Sequence, residues 1–163
     1  MSATDDLIAH AARHADGFAL GDLARPPAKR VAVVACMDSR LHLEHLLGLR
    51  TGDAHMIRNA GGIVTDHELR ALAMSQRKMG TAEIVIIQHT DCGALGFSDE
   101  AFRQELEAET GVRPTWPDAG FDDLEASVRG SVAAIEASPF IPHKESVRGF
   151  VYDVKTGALR EVS

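Results

Sequence analysis

Cysteine is scarce in this chain, with Cys36 and Cys92 the two among 163 residues. Disulfide-stapled secreted scaffolds are far denser in Cys, so a disulfide framework is excluded and the two thiols are read as core residues, metal ligands or nucleophiles. Long hydrophobic runs are absent too. A membrane-spanning helix needs roughly 20 consecutive apolar residues, and no stretch here approaches that, so no membrane segment is expected. Basic charge is also short: the formal net charge is −7. Phosphate binding needs a cationic surface that releases counterions, so nucleic acid is not expected as a partner. The N-terminal stretch MSATDDLIAHAARHADGF carries acids where a secretory signal would be basic, and it has no apolar core. A cytoplasmic location is the expectation. No internal repeat, low-complexity segment or linker interrupts the chain, so residues 1–163 are read as a single domain, within the roughly 100–200 residues typical of one.

The chain does have an ordinary globular composition, 45% hydrophobic and 25% charged. Leu7, Ile8, Ala11, Ala12, Ala15, Phe18 and Leu20 recur near a helical period, which predicts an N-terminal amphipathic helix over 4–20. Pro26 and Pro27 are hostile to its continuation. Residues 31–36, VAVVAC, form an apolar run rich in β-branched residues, the pattern of a strand covered on both faces in a parallel sheet. LHLEHLLGL, 41–49, predicts a short helix, and DAHMIRN, 53–59, a weaker strand. Thr65 and Glu68 have capping-box spacing, Arg77 and Lys78 suit the negative end of a helix dipole, and Gly80 can take a left-handed stop, so a helix should run between them. Another strand follows at 84–87, then helices at 98–109 and 122–137. Residues 147–162 alternate in polarity and turn at Thr156 and Gly157, which reads as a hairpin at the sheet edge. Together these elements predict an α/β fold: a mainly parallel central sheet flanked by helices, with an N-terminal amphipathic helix and a C-terminal edge hairpin. The one long irregular stretch is 111–121.

The chemistry-bearing residues fall at strand ends. Cys36 closes the first strand, Arg58 and Asn59 close the second, and His89 and Cys92 lie just after the third. Open α/β sheets bind ligands beyond the carboxyl ends of their strands. Two thiolates and an imidazole are a zinc-type donor set, and a structural zinc site would need a fourth Cys or His. Three ligands leave one position open for water, the catalytic arrangement. Asp38 and Arg40 follow the first ligand by two and four residues. Either Asp38 supplies the fourth ligand, or it accepts a hydrogen bond from zinc-bound water while the Arg40 fork holds it ionised. NAGG, 59–62, lacks the full glycine-rich phosphate pattern and is read as a tight turn. Of His42, His45, His55 and His67, most are read as surface or capping residues and none is given a role.

CMDSR, RNAGG and HTDCG, in that order, resemble the β class of carbonic anhydrases, whose pattern is C-x-D-x-R and later H-x-x-C. The motif match spans about 31–96, and the short length is similar to that of small bacterial and archaeal members. The resemblance implies one zinc ion per chain on Cys36, His89 and Cys92, a catalytic dyad of Asp38 and Arg40, and a homodimer or higher homo-oligomer across which the N-terminal helix reaches. The implied reaction is reversible hydration of carbon dioxide to bicarbonate and a proton by a zinc-bound hydroxide, which exists near neutral pH because zinc lowers the pKa of water to about 7. Backbone N–H groups near Gly61, Gly62 or Gly93 are candidates to receive a bicarbonate oxygen, since glycine permits close approach. Plant-type members carry a Gln several residues before the first Cys, and this chain has ARPPAKR there. Two alternatives are carbonyl sulfide or carbon disulfide hydrolysis by the same site, and a non-catalytic zinc or thiol redox sensor. A sensor has no use for Asp38 and Arg40.

Overall fold

Strand β1 (Val31–Cys36) is the axis of the molecule, with every residue after Val31 buried. A computed structural model describes residues 2–162. Along the chain follow α1 (Ala3–Asp16), β1, α2 (Leu43–Leu47), β2 (Ala54–Asn59), a 3₁₀ turn at Ala60–Gly62, α3 (Asp66–Met79), β3 (Glu83–His89), α4 (Asp99–Thr110), α5 (Leu124–Ala137), β4 (Val147–Tyr152) and β5 (Leu159–Val162). The sheet order is β2-β1-β3-β4-β5. The first four strands run parallel, and β5 pairs antiparallel to β4 as the expected edge hairpin. From β1 the chain steps to β2 on one side, then crosses back to β3 on the other. That reversal opens a crevice at the carboxyl ends of β1 and β3, where Cys36 and His89 stand.

Alternation along the strands sorts the two faces of the sheet. Ala32, Val34, Ile84 and Ile86 point to one side and pack against Leu72 of α3 and Ile135 of α5. Val33, Ala35 and Ile87 point to the other and meet Leu43, Leu46 and Leu47 of α2. Leu72 is fully buried, and its truncation to Ala would cost about 2–5 kcal/mol.

The capping box of α3 forms: the Thr65 hydroxyl accepts from His67 N at 3.2 Å, Glu68 Oε2 accepts from Thr65 N at 3.0 Å, and Gly80 ends the helix at φ 73°. Other boundaries shift for local reasons. α1 stops at Asp16 rather than 20, because Gly17 caps it. α5 begins at Leu124, since the Asp123 carboxylate accepts from Ala126 N at 2.9 Å. β3 runs on to His89, because its pairing with β4 continues to His89 opposite Tyr152. The apolar stripe of α1 is left exposed by the described residues: α1 buries none of its residues, and Leu7 and Ile8 are 71% and 64% exposed. No described helix is long and apolar enough to cross a membrane.

Candidate metal centre

Among the described residues, one cluster of His, Cys, Asp or Glu side chains could hold a metal ion: Cys36, His89 and Cys92, all buried, with ligand atoms within 4.8 Å of one another. The two sulfurs are 3.8 Å apart and both thiols are free. A tetrahedral zinc with Zn–S bonds of about 2.3 Å sets its sulfur ligands about 3.8 Å apart, so the pair is spaced for the ion and too far apart for a disulfide. The imidazole is set for the same purpose. His89 Nδ1 lies 2.9 Å from the Thr90 carbonyl, an acceptor, so the ring carries its proton on Nδ1. That leaves the Nε2 lone pair buried with no hydrogen-bond partner. A backbone carbonyl that fixes the tautomer of a metal-ligating His is the usual support of such a ligand. The donor set and the orphaned Nε2 both fit zinc.

Asp38 stands at the rim of the cluster, its Oδ2 3.8 Å from His89 Nε2. Its carboxylate is braced by one neighbour. Oδ1 accepts from Arg40 N at 2.8 Å and from Arg40 Nε at 3.0 Å, and Oδ2 accepts from Nη2 at 2.8 Å. Arg40 is braced in turn by Asp91, donating to its carboxylate at 2.7 Å and to its carbonyl at 2.8 Å. Asp91 adopts a left-handed φ of 56°, a conformation that Asp tolerates better than most residues. Asp38 thus has its carboxylate engaged by the Arg40 fork and lies outside the cluster of Cys36, His89 and Cys92.

The Arg40 hydrogen bonds hold the Asp38 carboxyl well below the usual carboxylate range, outweighing its partial burial. Asp38 and Asp91 push Arg40 correspondingly up. Burial would raise the Cys36 thiol, but the His89 contact and the backbone N–H groups of Asp38 and Gly61 bring it down to about 7. Burial and the adjacent Cys36 push Cys92 up. Burial would lower His89, and the Cys36 sulfur with the Thr90 carbonyl raise it instead.

Gly61 and Gly93 line a cavity of about 300 Å³ against Cys36, Asp38 and Cys92. Gly62 does not line it. A Cβ there would come within 2.7 Å of Cys36 N and 2.9 Å of Ile87 O, at φ 65°, so Gly62 lets the 3₁₀ turn press onto the ends of β1 and β3.

Arg58, noted in the sequence only as a strand end, has a definite task. It donates from Nε at 3.0 Å and Nη2 at 2.8 Å to the Cys36 carbonyl, and from Nη2 at 2.8 Å to the Asp38 carbonyl. One guanidinium therefore fixes the backbone that carries both Cys36 and Asp38. The register that sets Ala35 opposite Arg58 and Cys36 opposite Asn59 was the available signal. His55 is neither a surface nor a capping residue: its Nδ1 is 2.7 Å from Ser75 Oγ, which is 2.7 Å from Thr81 Oγ1, a tie between β2 and α3.

A family model described as carbonic anhydrase matches residues 31–159. Beta-carbonic anhydrase 1 of Mycobacterium tuberculosis is 49% identical, covering 100% of this chain and 99% of that protein. This chain belongs to the β class of the carbonic anhydrase family. A crystal structure of carbonic anhydrase from Streptococcus mutans superposes with a TM-score of 0.91 at 43% identity, covering 100% of this chain and 99% of that one. A more distant relative is the carbon disulfide hydrolase of Saccharolobus solfataricus, 35% identical and covering 83% of this chain and 78% of that protein. The carbonic anhydrase match runs from Val31, the first residue of β1, to Leu159, the first residue of β5, and so takes in β1–β4 and α2–α5 and leaves α1 outside. The full-length relatives extend the likeness across α1.

Proposed function

We propose that this chain catalyses the reversible hydration of carbon dioxide to bicarbonate and a proton, with one zinc ion held by Cys36, His89 and Cys92. The observation that carries the reading is the braced Asp38 carboxylate 3.8 Å from the unpartnered His89 Nε2. A zinc ion at these ligands would supply the Lewis acidity that makes water a nucleophile near neutral pH. Asp38 Oδ2, 3.8 Å from His89 Nε2, would serve as the fixed hydrogen-bond acceptor that orients the attacking water. Because Arg40 keeps Asp38 ionised, Oδ2 remains an acceptor across the working pH range. Met37, Ala60, Ala94 and Phe97 give the cavity mostly apolar walls, suited to a small uncharged linear molecule. Gly93, in the cavity lining, is the glycine whose backbone N–H we assign to an oxygen as charge develops on it, since that of Gly61 faces the Cys36 sulfur. Stopped-flow hydration of carbon dioxide by protein carrying one zinc per chain tests the reading. Turnover supports it, whereas a zinc-loaded protein inert to carbon dioxide but active on carbonyl sulfide or carbon disulfide would replace it with hydrolysis of those molecules.

The assembly follows from α1. Its exposed Leu7 and Ile8 lie beside Asp5 and Asp6. A groove of about 710 Å³ between α3 and α5 offers Leu69, Met74 and Phe140 with Arg70 and Lys78 beside them. Apolar stripe matches apolar groove, and the acids of α1 match Arg70, Arg77 and Lys78, which outnumber Asp66 in the lining; this supports α1 of a second copy as the occupant. The protein is then a homodimer or larger homo-oligomer. Light scattering that returned the 17.5 kDa monomer mass at micromolar concentration would contradict this. Two free cysteines suit a reducing, cytoplasmic setting, which fractionation checks.

A further inference from the structure

The cavity above the cysteines has one wall brought in from far along the chain. Residues that follow Cys92 are zipped to the end of the irregular stretch: Phe121 N donates to Ala94 O at 3.0 Å, Gly96 N to Phe121 O at 2.8 Å, and Leu95 bridges to Phe121. Ala119 lines the same cavity as Cys36 and Cys92. It is held there by Asp99, the first residue of α4. Asp99 Oδ1 and Oδ2 accept from Ala119 N at 3.2 and 3.1 Å, and Oδ2 also accepts from Gly120 N at 2.8 Å. Gly120 is pressed so close to the Phe97 carbonyl that a Cβ would overlap it. A second α4 side chain supports the same segment, since Arg103 donates to Trp116 O at 2.8 Å and pairs with Asp118. α4 buries none of its own residues, so its attachment to this segment, and not a core face, is its visible task.

We propose that Asp99 is a positioning residue that sets substrate size: by pinning Ala119 as a wall it weights the site toward carbon dioxide over the longer carbonyl sulfide. The proposal rests on the carbonic anhydrase reading above. Residues 111–120 form no regular structure, so without the carboxylate the two N–H groups lose their fixed acceptor and the wall yields. Cys36 and His89 end β1 and β3 and Cys92 lies three residues beyond β3, all outside the segment that Asp99 holds.

Trp116, the single tryptophan, reports directly on this segment. The test measures kcat and KM for carbon dioxide and for carbonyl sulfide, zinc content, and Trp116 fluorescence anisotropy, in the wild type, Asp99→Asn, Asp99→Ala and Ser98→Ala. Ser98 caps α4 by accepting from Ala101 N, and Ala119 N and Gly120 N are held by Asp99 and not by its hydroxyl, so its variant weakens the start of the helix while leaving their acceptor in place. In Asp99→Ala, KM for carbon dioxide is expected to rise and the kcat/KM preference for carbon dioxide to fall about tenfold, the scale of a one-methylene change in a pocket. One zinc per chain should remain, with lower anisotropy. Asp99→Asn keeps one acceptor oxygen and falls between, and Ser98→Ala keeps the wild-type preference. An unchanged preference in Asp99→Ala, or the same loss in Ser98→Ala, overturns the proposal. A zinc-loaded wild type inert to both gases overturns instead the reading on which it rests.

Discussion

At the carboxyl ends of β1 and β3, His89 is fully buried and Cys36 and Cys92 are only 4% and 7% exposed, whereas α1 and α4 bury no residue at all. The first region is fixed by the sheet: parallel pairing sets the strand ends, Gly62 seats the turn between them, and Arg58 ties the outgoing loop to β2. The second is fixed by little within the chain. α1 has an exposed apolar stripe, and α4 is attached by side chains at its surface, Asp99 and Arg103 to residues 116–120, Glu100 and Glu107 to Arg113 and Phe102 to Phe97. Chemistry that must be right within a fraction of an ångström sits on the rigid region. What can vary without loss of the metal, assembly and cavity shape, sits on the other.

The sharpest way to break the rigid side is to remove a ligand. Cys36→Ala or Cys92→Ala should abolish stoichiometric zinc while leaving the sheet, and elemental analysis after gel filtration would show it; full metal retention would contradict the ligand assignment. Arg58→Met comes next. It removes the hydrogen bonds that hold the Cys36 and Asp38 carbonyls, so chelator competition should show zinc affinity about 10–100-fold weaker. Arg58→Lys should recover only part of it, since one ammonium cannot reproduce the fork. Loss of thermal stability with unchanged zinc affinity would reduce Arg58 to a structural tie. On the loose side, Leu7→Asp should lower the assembled mass in light scattering yet keep the zinc affinity of the wild type. A simultaneous loss of metal would join the two regions that the comparison separates.

The smallest effect concerns the cap of α3. Burial pushes the Glu68 carboxyl up, but the Thr65 and Asn59 hydrogen bonds bring it below its ordinary value. A depressed folded pKa means stability that is present above the unfolded value of about 4.3 and lost as pH falls through the folded one. Glu68→Gln should therefore lower stability by about 1 kcal/mol at pH 7 and flatten its decline below pH 4.5. Denaturant unfolding at pH 7 and pH 4 reads both. An unchanged acid slope would remove Glu68 from the account.

Much of the rigid region was legible in the sequence, because its physics is local. A six-residue apolar run must be covered on both faces, and a thiol, carboxylate and guanidinium at its end must face the crevice beyond a parallel strand. The capping box at Thr65 and Glu68 and the left-handed Gly80 are likewise set by neighbours in sequence. The braces were hidden because they join distant positions: Arg58 to Cys36 across 22 residues, Arg40 to Asp91 across 51, Asp99 to Gly120 across 21. His55 shows the same limit, its partner Ser75 lying 20 residues away. For α1 the hydrophobic period announces a helix with a buried face, but period alone does not say which molecule buries it.

The most direct measurement is carbon dioxide hydration by stopped flow for the wild type and Asp38→Ala, each verified at one zinc per chain, from neutral to alkaline pH. The account predicts a wild-type rate that rises with pH and an Asp38→Ala variant that keeps its zinc and loses most of its turnover at every pH. A variant with zinc and full turnover would contradict it, because the braced carboxylate at the rim of the Cys36, His89 and Cys92 cluster would then have no part in the reaction.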